Sequence, residues 1–305
     1  MEANFCIITI SEATLEKCGS WQAQKRNPKP PFMIMINTAF ENYYTEIYGS
    51  RWEALRKSLV DERPACEFSS GLTVPYFLDY ASALAARSVR LPAPAPDGEA
   101  PLGETQLSEH ISVLDACAAP GGKSLVIAAA LPPGATLLCN EISAERRRRL
   151  SDVLDRHLDK NTRSRVQVCG FDAAAQGRRK SEHCRFDAIL LDAPCSSEAH
   201  VLKNERALRE WTAARPRFLA QRQWALLSSA FLLLKPGGCL VYSTCAISTI
   251  ENDGVVRRLL EKYGSRLELD PPDFAEGEQT AYGRIILPDA CGCGPLYVAR
   301  FRKTL

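Results

Sequence analysis

From Thr38 onward, apolar positions recur every three or four residues: Phe40, Tyr43/Tyr44, Ile47/Tyr48, Trp52, Leu55 and Leu59. That period predicts helix, broken near Gly49 and finished by Pro64, with the aromatics facing a core. Leu72 to Arg90 predicts a second helix, entered after Pro75 and apolar on a broad face. Beyond Ile111 the pattern changes. Short apolar runs that do not alternate, at Ile111–Asp115, Thr136–Asn140, Arg165–Cys169, Phe186–Leu191 and Cys239–Ser243, predict strands buried on both faces. Between them lie helical patterns at Ser124–Leu131, Ala144–Leu158 and Arg217–Leu234, and Ile250–Tyr263 follows the fifth strand. Lys235-Pro236-Gly237-Gly238 closes a helix and opens a strand, and Arg284–Leu287 with Leu296–Phe301 predicts an antiparallel pair at an edge. The expected fold is α/β: a mostly parallel seven-stranded sheet with helices on both faces, preceded by a small helical N-terminal region.

Four segments follow. Residues 1–35 are expected to form a flexible N-terminal extension and 36–90 the small helical region. A linker over 91–108 carries Pro92, Pro94, Pro96 and Pro101 with too little apolar surface for a core, and the main domain fills 109–305. No apolar run reaches membrane-span length, so no membrane partner is expected. The N-terminus lacks a basic stretch, and Glu2, Glu12 and Glu16 argue against a mitochondrial presequence. A cytoplasmic setting is expected, with the mitochondrial matrix as the alternative. A net charge of +2 leaves no global field that demands nucleic acid. Basic residues gather locally at Arg146 to Arg149, Arg178-Arg179-Lys180 and between Arg206 and Arg222. The twelve cysteines show no paired zinc spacing, several sit in apolar runs, and the chain is too long for a disulfide scaffold. They point to a reducing compartment and to no metal.

The chemistry gathers around Val113 to Ser124, where an apolar run ends in Asp115, turns through Pro120-Gly121-Gly122 and enters a helix. Such a turn lets backbone N–H groups approach a ligand. It is not the dinucleotide G-x-G-x-x-G. It is not a P-loop either, since Cys117 stands where that motif needs its first glycine. An ordinary tight βα turn is the plain alternative. In open parallel sheets ligands lie at the carboxyl ends of the strands, which here carry Asp115, Glu141, Asp172, Asp192 and Thr244-Cys245. Glu141 can accept both ribose hydroxyls and Asp172 an adenine amino group, a combination suited to S-adenosyl-L-methionine. Leu191-Asp192-Ala193-Pro194-Cys195 and Tyr242-Ser243-Thr244-Cys245 place two thiols over that cleft. A thiolate added to C6 of a pyrimidine makes C5 nucleophilic, and a carboxyl group beside it can serve N3 as charge develops. Two buried cysteines that happen to end strands are the alternative.

The motifs Asp115-Ala-Cys-Ala-Ala-Pro-Gly-Gly-Lys123, Asp192-Ala-Pro-Cys195 and Tyr242-Ser-Thr-Cys245 resemble the signatures of the RsmB/Sun/Nop family of RNA cytosine-C5 methyltransferases. The resemblance runs over about residues 38–302. It implies a Rossmann-like class I methyltransferase fold and S-adenosyl-L-methionine bound by Cys117, Ala118, Ala119, Pro120, Gly121, Gly122, Lys123, Glu141, Arg146, Asp172 and Asp192. It also implies Cys245 as nucleophile, Cys195 as the thiol that assists release, and Lys123 and Pro194 as holders of the target base. Family members commonly carry a larger N-terminal RNA-binding part with an Arg-x-Asn segment, which is not found here. The chain is most similar to the short, mitochondrial-ribosome type. The implied partner is RNA, ribosomal RNA or a ribosomal subunit above all, with a protein partner aiding recognition. A catalytically idle ribosome-assembly or RNA-binding factor, or a tRNA cytosine-C5 methyltransferase, are the competing readings.

Overall fold

The computed structural model describes residues 37–91 and 111–304. The expected 1–35 extension and nearly all of the expected 91–108 linker lie outside the described residues.

Helix Thr38–Tyr48 starts at Asn37, whose side chain accepts the N–H of Phe40 at 3.1 Å. Trp52–Val60 continues after a single 3₁₀ turn at Gly49–Arg51. Phe40, Tyr44 and Trp52 pack with Trp211 from the far part of the chain, ring centroids 4.7 to 5.9 Å apart. The single helix expected over Leu72–Arg90 is not what forms. Strand β1 (Cys66–Phe68) pairs antiparallel with β2 (Tyr76–Leu78), and the helix runs only over Tyr80–Arg87. Pro75 disfavours helix in the residue before it. Asp79 then starts the helix afresh by accepting the N–H of Ala81 at 2.9 Å. The N-terminal region is therefore helical with a small two-stranded sheet.

The main sheet follows the expected alternation: β3 (Ser112–Asp115), helix Gly122–Ala129, β4 (Thr136–Asn140), helix Ala144–His157, β5 (Val166–Cys169), β6 (Phe186–Asp192), helix Ala214–Leu233, β7 (Leu234–Thr244) and helix Asp253–Tyr263. Short helices at Lys160–Ser164, Ala173–Gln176, Glu198–Leu202 and Glu205–Arg209 fill connections that showed no clear period in the sequence. Then come β8 (Leu267–Leu269), β9 (Glu278–Gln279), β10 (Arg284–Ile286), a turn of helix at Pro288–Cys291, and β11 (Leu296–Lys303). The order is β5-β4-β3-β6-β7-β11-β10-β9, with β8 on β11. Strands β3 to β7 pair in parallel, and β11 and β10 close the sheet antiparallel. The seven expected strands are these. The short β8 and β9 bring the sheet to nine strands among the described residues, too brief to leave a period of two in the sequence.

Lys235-Pro236-Gly237-Gly238 makes a bulge within β7: Phe186 pairs with Leu234, then Ala188 with Cys239. The step backs onto β6 so closely that a Cβ on Gly238 would lie 2.8 Å from the Asp187 carbonyl oxygen. Its consequence is register, since Asp192 then stands level with Ser243 and the two thiol motifs leave the sheet side by side.

Candidate active site

The strand order sends the chain from β3 outward in both directions, so the carboxyl ends of β3, β4, β5, β6 and β7 open into one crevice. A cleft of about 500 Å³ lies there. Cys117, Ala119, Glu141, Arg146, Asp172, Asp192, Pro194, Cys195 and Cys245 line it. An adjoining cavity of about 210 Å³ is lined by Cys117, Ala118, Ala119, Pro120, Gly122, Lys123 and Asp192, with Tyr76 and Ser82 opposite. Of the expected catalytic, cofactor-binding and base-holding residues, only Gly121 lines neither. It holds φ at +118°, and a Cβ there would lie 3.1 Å from Val153 and 3.2 Å from Leu150. Its part is to turn the chain tightly beneath helix Ala144–His157.

Glu141 is 3% exposed. One of its oxygens accepts the Ser143 N–H at 2.9 Å and the other meets Arg146 Nη1 at 3.0 Å. Arg146 Nη2 reaches on to the Ala119 carbonyl at 2.8 Å, so one guanidinium ties the end of β4 to the glycine turn. Asp172 accepts the N–H of Ala174 and starts a short helix at the lip of the cleft. Asp115 lines the smaller cavity rather than the larger cleft. It is 1% exposed, and one oxygen accepts from Ser124 while the other has no partner among the described residues. Burial pushes its carboxyl group up to about 7, against the pull of Ser124. Burial likewise pushes the Cys117 thiol up to about 12, leaving it a small apolar wall.

Asp192 is held from both sides. Lys123 Nζ pairs with Oδ2 at 2.8 Å and the Ser243 hydroxyl donates to Oδ1 at 2.8 Å. Burial alone would lower the Lys123 ammonium, but Asp192 outweighs it and the group ends above its ordinary value. Lys123 also bonds the Ser82 hydroxyl at 3.2 Å, so it bridges the N-terminal region and β6.

Cys195 and Cys245 face the same cleft with Sγ atoms 3.1 Å apart. Their hydrogen bond orders them. It lowers Cys245, helped by the Ser197 hydroxyl against the cost of burial, and it raises Cys195, burial adding to the rise. Of the two, Cys245 is therefore the readier to ionise. Thr244, its neighbour in sequence, turns away and donates to Asn252 at 2.7 Å.

A family model described as 16S rRNA methyltransferase RsmB/F matches residues 104–302. The chain belongs to that family. It is 41% identical over 196 residues to Ribosomal RNA small subunit methyltransferase F of Erwinia tasmaniensis, covering 63% of this chain and 40% of that protein. The protein of the same name from Aeromonas salmonicida is 43% identical over 203 residues, covering 65% and 41%. The chain spans about two fifths of the length of these curated relatives. Among solved structures, a methyltransferase homolog from Pyrococcus horikoshii shares the fold, with TM-score 0.66, 21% identity, and 88% and 96% of the two chains covered. NSun6 from Pyrococcus horikoshii with SFG gives TM-score 0.58 at 25% identity, covering 78% and 55%.

The cofactor of the RsmB/F fold is S-adenosyl-L-methionine, and the residues fit it. The buried Glu141 carboxylate offers acceptor oxygens of the kind that ribose hydroxyls need, and the glycine turn brings backbone to the edge of the cleft. Reasoning from sequence missed several lining residues. Ile142 is 52% exposed beside Glu141, and Phe171 follows β5, both apolar surfaces for an adenine ring. Asn140 donates to the Ala116 carbonyl at 3.0 Å and accepts the Phe171 N–H at 2.9 Å, pinning three strand ends together. An Asn one residue before a strand-end Glu was the available signal. Arg222, from the basic cluster noted in the sequence, also lines the cleft, whereas Ser197 and Leu219 left no signal. Among the described residues no helix is long and apolar enough to cross a membrane, and no three His, Cys, Asp or Glu side chains converge as metal ligands.

Proposed function

We propose that the protein transfers a methyl group from S-adenosyl-L-methionine to C5 of a cytosine in RNA, small-subunit ribosomal RNA being the substrate that the names of its relatives favour. The observation that carries this reading is the thiol pair, Cys195 and Cys245 with sulfurs 3.1 Å apart, over the cleft that Glu141 and Asp192 line. Cys245 attacks C6, forming the S–C6 bond while the ring electrons move towards C5 and N3. Asp192, anchored by Lys123 and Ser243, partners N3 through this change, and Lys123 with Pro194 frames the base. Bound S-adenosyl-L-methionine supplies the electrophilic methyl group for C5. Solvent takes up the C5 proton, its electron pair restores the C5–C6 double bond, and the S–C6 bond breaks to return Cys245 as a thiolate, a release that Cys195 assists. A cytoplasmic setting suits a chain whose described cysteines form no disulfide. Recognition of the RNA draws on a partner or the assembling subunit, since phosphate contacts alone give salt-sensitive, unspecific binding.

The test separates the thiols. Cys245→Ala abolishes transfer and gives no covalent complex with RNA. Cys195→Ala still attacks and methylates, then stalls as a protein–RNA band that survives denaturing electrophoresis. The opposite pattern, an adduct trapped by Cys245→Ala and none by Cys195→Ala, would overturn the assignment of roles.

A further inference from the structure

Beneath the thiols, the loops that carry Cys195 and Cys245 exchange carboxyl groups. Glu198, on the Cys195 loop, accepts the backbone N–H of Ile247, two residues past Cys245, at 3.0 Å. Glu251, on the Cys245 loop, accepts the backbone N–H of Ser196, the neighbour of Cys195, at 2.9 Å. Both side chains are fully buried, and the Ser196 hydroxyl lies between them in contact with one oxygen of each. Gln223 adds a third strap, donating to Glu251 at 2.8 Å and to the Pro194 carbonyl at 3.0 Å. We propose that Glu198 and Glu251 form a reciprocal clasp that sets the spacing of the two thiols, which makes both carboxyl groups positioning residues for the reaction. The proposal rests on the roles given above to Cys245 and Cys195.

The clasp is asymmetric. Glu198 meets donors on every side: the Ile247 N–H on one oxygen, the Tyr44 and Ser196 hydroxyls on the other. Glu251 takes two N–H groups on Oε2, while its Oε1 meets only the Ser196 hydroxyl. Ser196 has one proton. When that proton goes to Glu198, Glu251 must supply the one that binds Ser196 Oγ. Burial and the nearby Glu198 raise Glu251 to about 7, in keeping with a proton held there. An amide at position 251 reproduces both halves of this arrangement, oxygen towards the N–H donors and NH₂ towards Ser196. An amide at 198 turns its NH₂ towards the Tyr44 and Ser196 hydroxyls; Ser196 can answer by turning its proton to Glu251, but the buried Tyr44 proton loses its acceptor, which is costly.

The experiment compares Glu251→Gln and Glu198→Gln in the full chain by two readouts. One is methyl transfer on ribosomal RNA, as kcat and KM for S-adenosyl-L-methionine. The other is the rate at which diamide, which takes up the two electrons and two protons, links Cys195 to Cys245, followed by mass spectrometry of the linked peptides. Glu251→Gln is expected to stay within about threefold of the parent in both. Glu198→Gln is expected to lower kcat roughly 10- to 100-fold and to slow disulfide formation similarly, with KM for the cofactor little changed. Should Glu198→Gln not fold, Glu251→Ala takes its place, with Glu251→Gln as its rescue. Parental disulfide rates in Glu198→Gln, or equal rates in Glu251→Ala and Glu251→Gln, overturn the clasp. Thiol oxidation needs neither cysteine to be the nucleophile, so failure of the clasp is read separately from failure of the proposed roles.

Discussion

Ser197 shows how a single residue gives up stability for chemistry. Its backbone sits at φ 52°, ψ 65°, the left-handed region that a residue with a Cβ enters at a cost of roughly 1–2 kcal/mol. In return the side chain faces the cleft beside Cys245, whose ionisation the hydroxyl favours. Ser197→Gly relaxes the backbone and removes the hydroxyl. The variant is expected to gain about 1 kcal/mol in denaturant unfolding while its Cys245 titrates at higher pH. The second effect is read from the pH profile of alkylation at Cys245. A profile that does not move would mean the hydroxyl has no hold on the thiol.

Between elements, Arg300 and Arg90 share the same acidic partners and differ in burial, which decides what each contributes. Arg300 on β11 is 1% exposed and bonds Asp270, Asp273, the Pro271 carbonyl and the Ser88 carbonyl at the end of helix Tyr80–Arg87. It locks the N-terminal region against the antiparallel edge. Arg90 reaches Asp270 and Asp273 from solvent. Arg300→Ala leaves carbonyls without a donor and a hole in the packing, an expected loss of roughly 3–5 kcal/mol, whereas Arg90→Ala is expected to cost under about 1 kcal/mol. Urea midpoints for the two variants check this, and similar shifts would mean burial is not what separates them.

Across the whole molecule, two buried carboxyl groups give stability a particular pH dependence. Asp115 and Glu251 each rise to about 7 in the folded chain, from ordinary values of about 4. A raised group stabilises the fold while it holds its proton. That contribution is fully present below about pH 4 and is lost as pH rises through 7. Removing the titration at one site should show the trend against the unchanged background. Asp115→Asn keeps an acceptor for Ser124 and cannot ionise. The difference in melting temperature between Asp115→Asn and the parent is therefore expected to shift in the variant's favour from pH 4 to pH 8. A constant difference would place the Asp115 titration outside that window.

What the sequence determined by itself was everything written in local periods and short motifs. Unalternating apolar runs marked β3 to β7, their order of residues placed Glu141, Asp172, Asp192 and Cys245 at strand ends, and the Pro-Gly-Gly turn marked the crevice. Those features are legible because burial on both faces of a strand, and the carboxyl-end rule of parallel sheets, act through neighbours in the chain. Local pattern misled where Pro75 and Asp79 divided an apolar stretch into strand and helix. The tertiary structure alone decided which distant groups meet. Phe40, Tyr44 and Trp52 were readable as packing residues, yet nothing nearby said that Tyr43, Tyr44 and Tyr48 would send their hydroxyls to Ser248, Glu198 and the Ile247 carbonyl, around the two thiol loops. Nothing in the sequence singled out Glu198 and Glu251, which folding buries completely. A carboxyl group can be buried only where donors from several elements surround it. Here Ser196, Gln223, Ile247 and Tyr44 come from separate parts of the chain, so only the folded arrangement could bring them together.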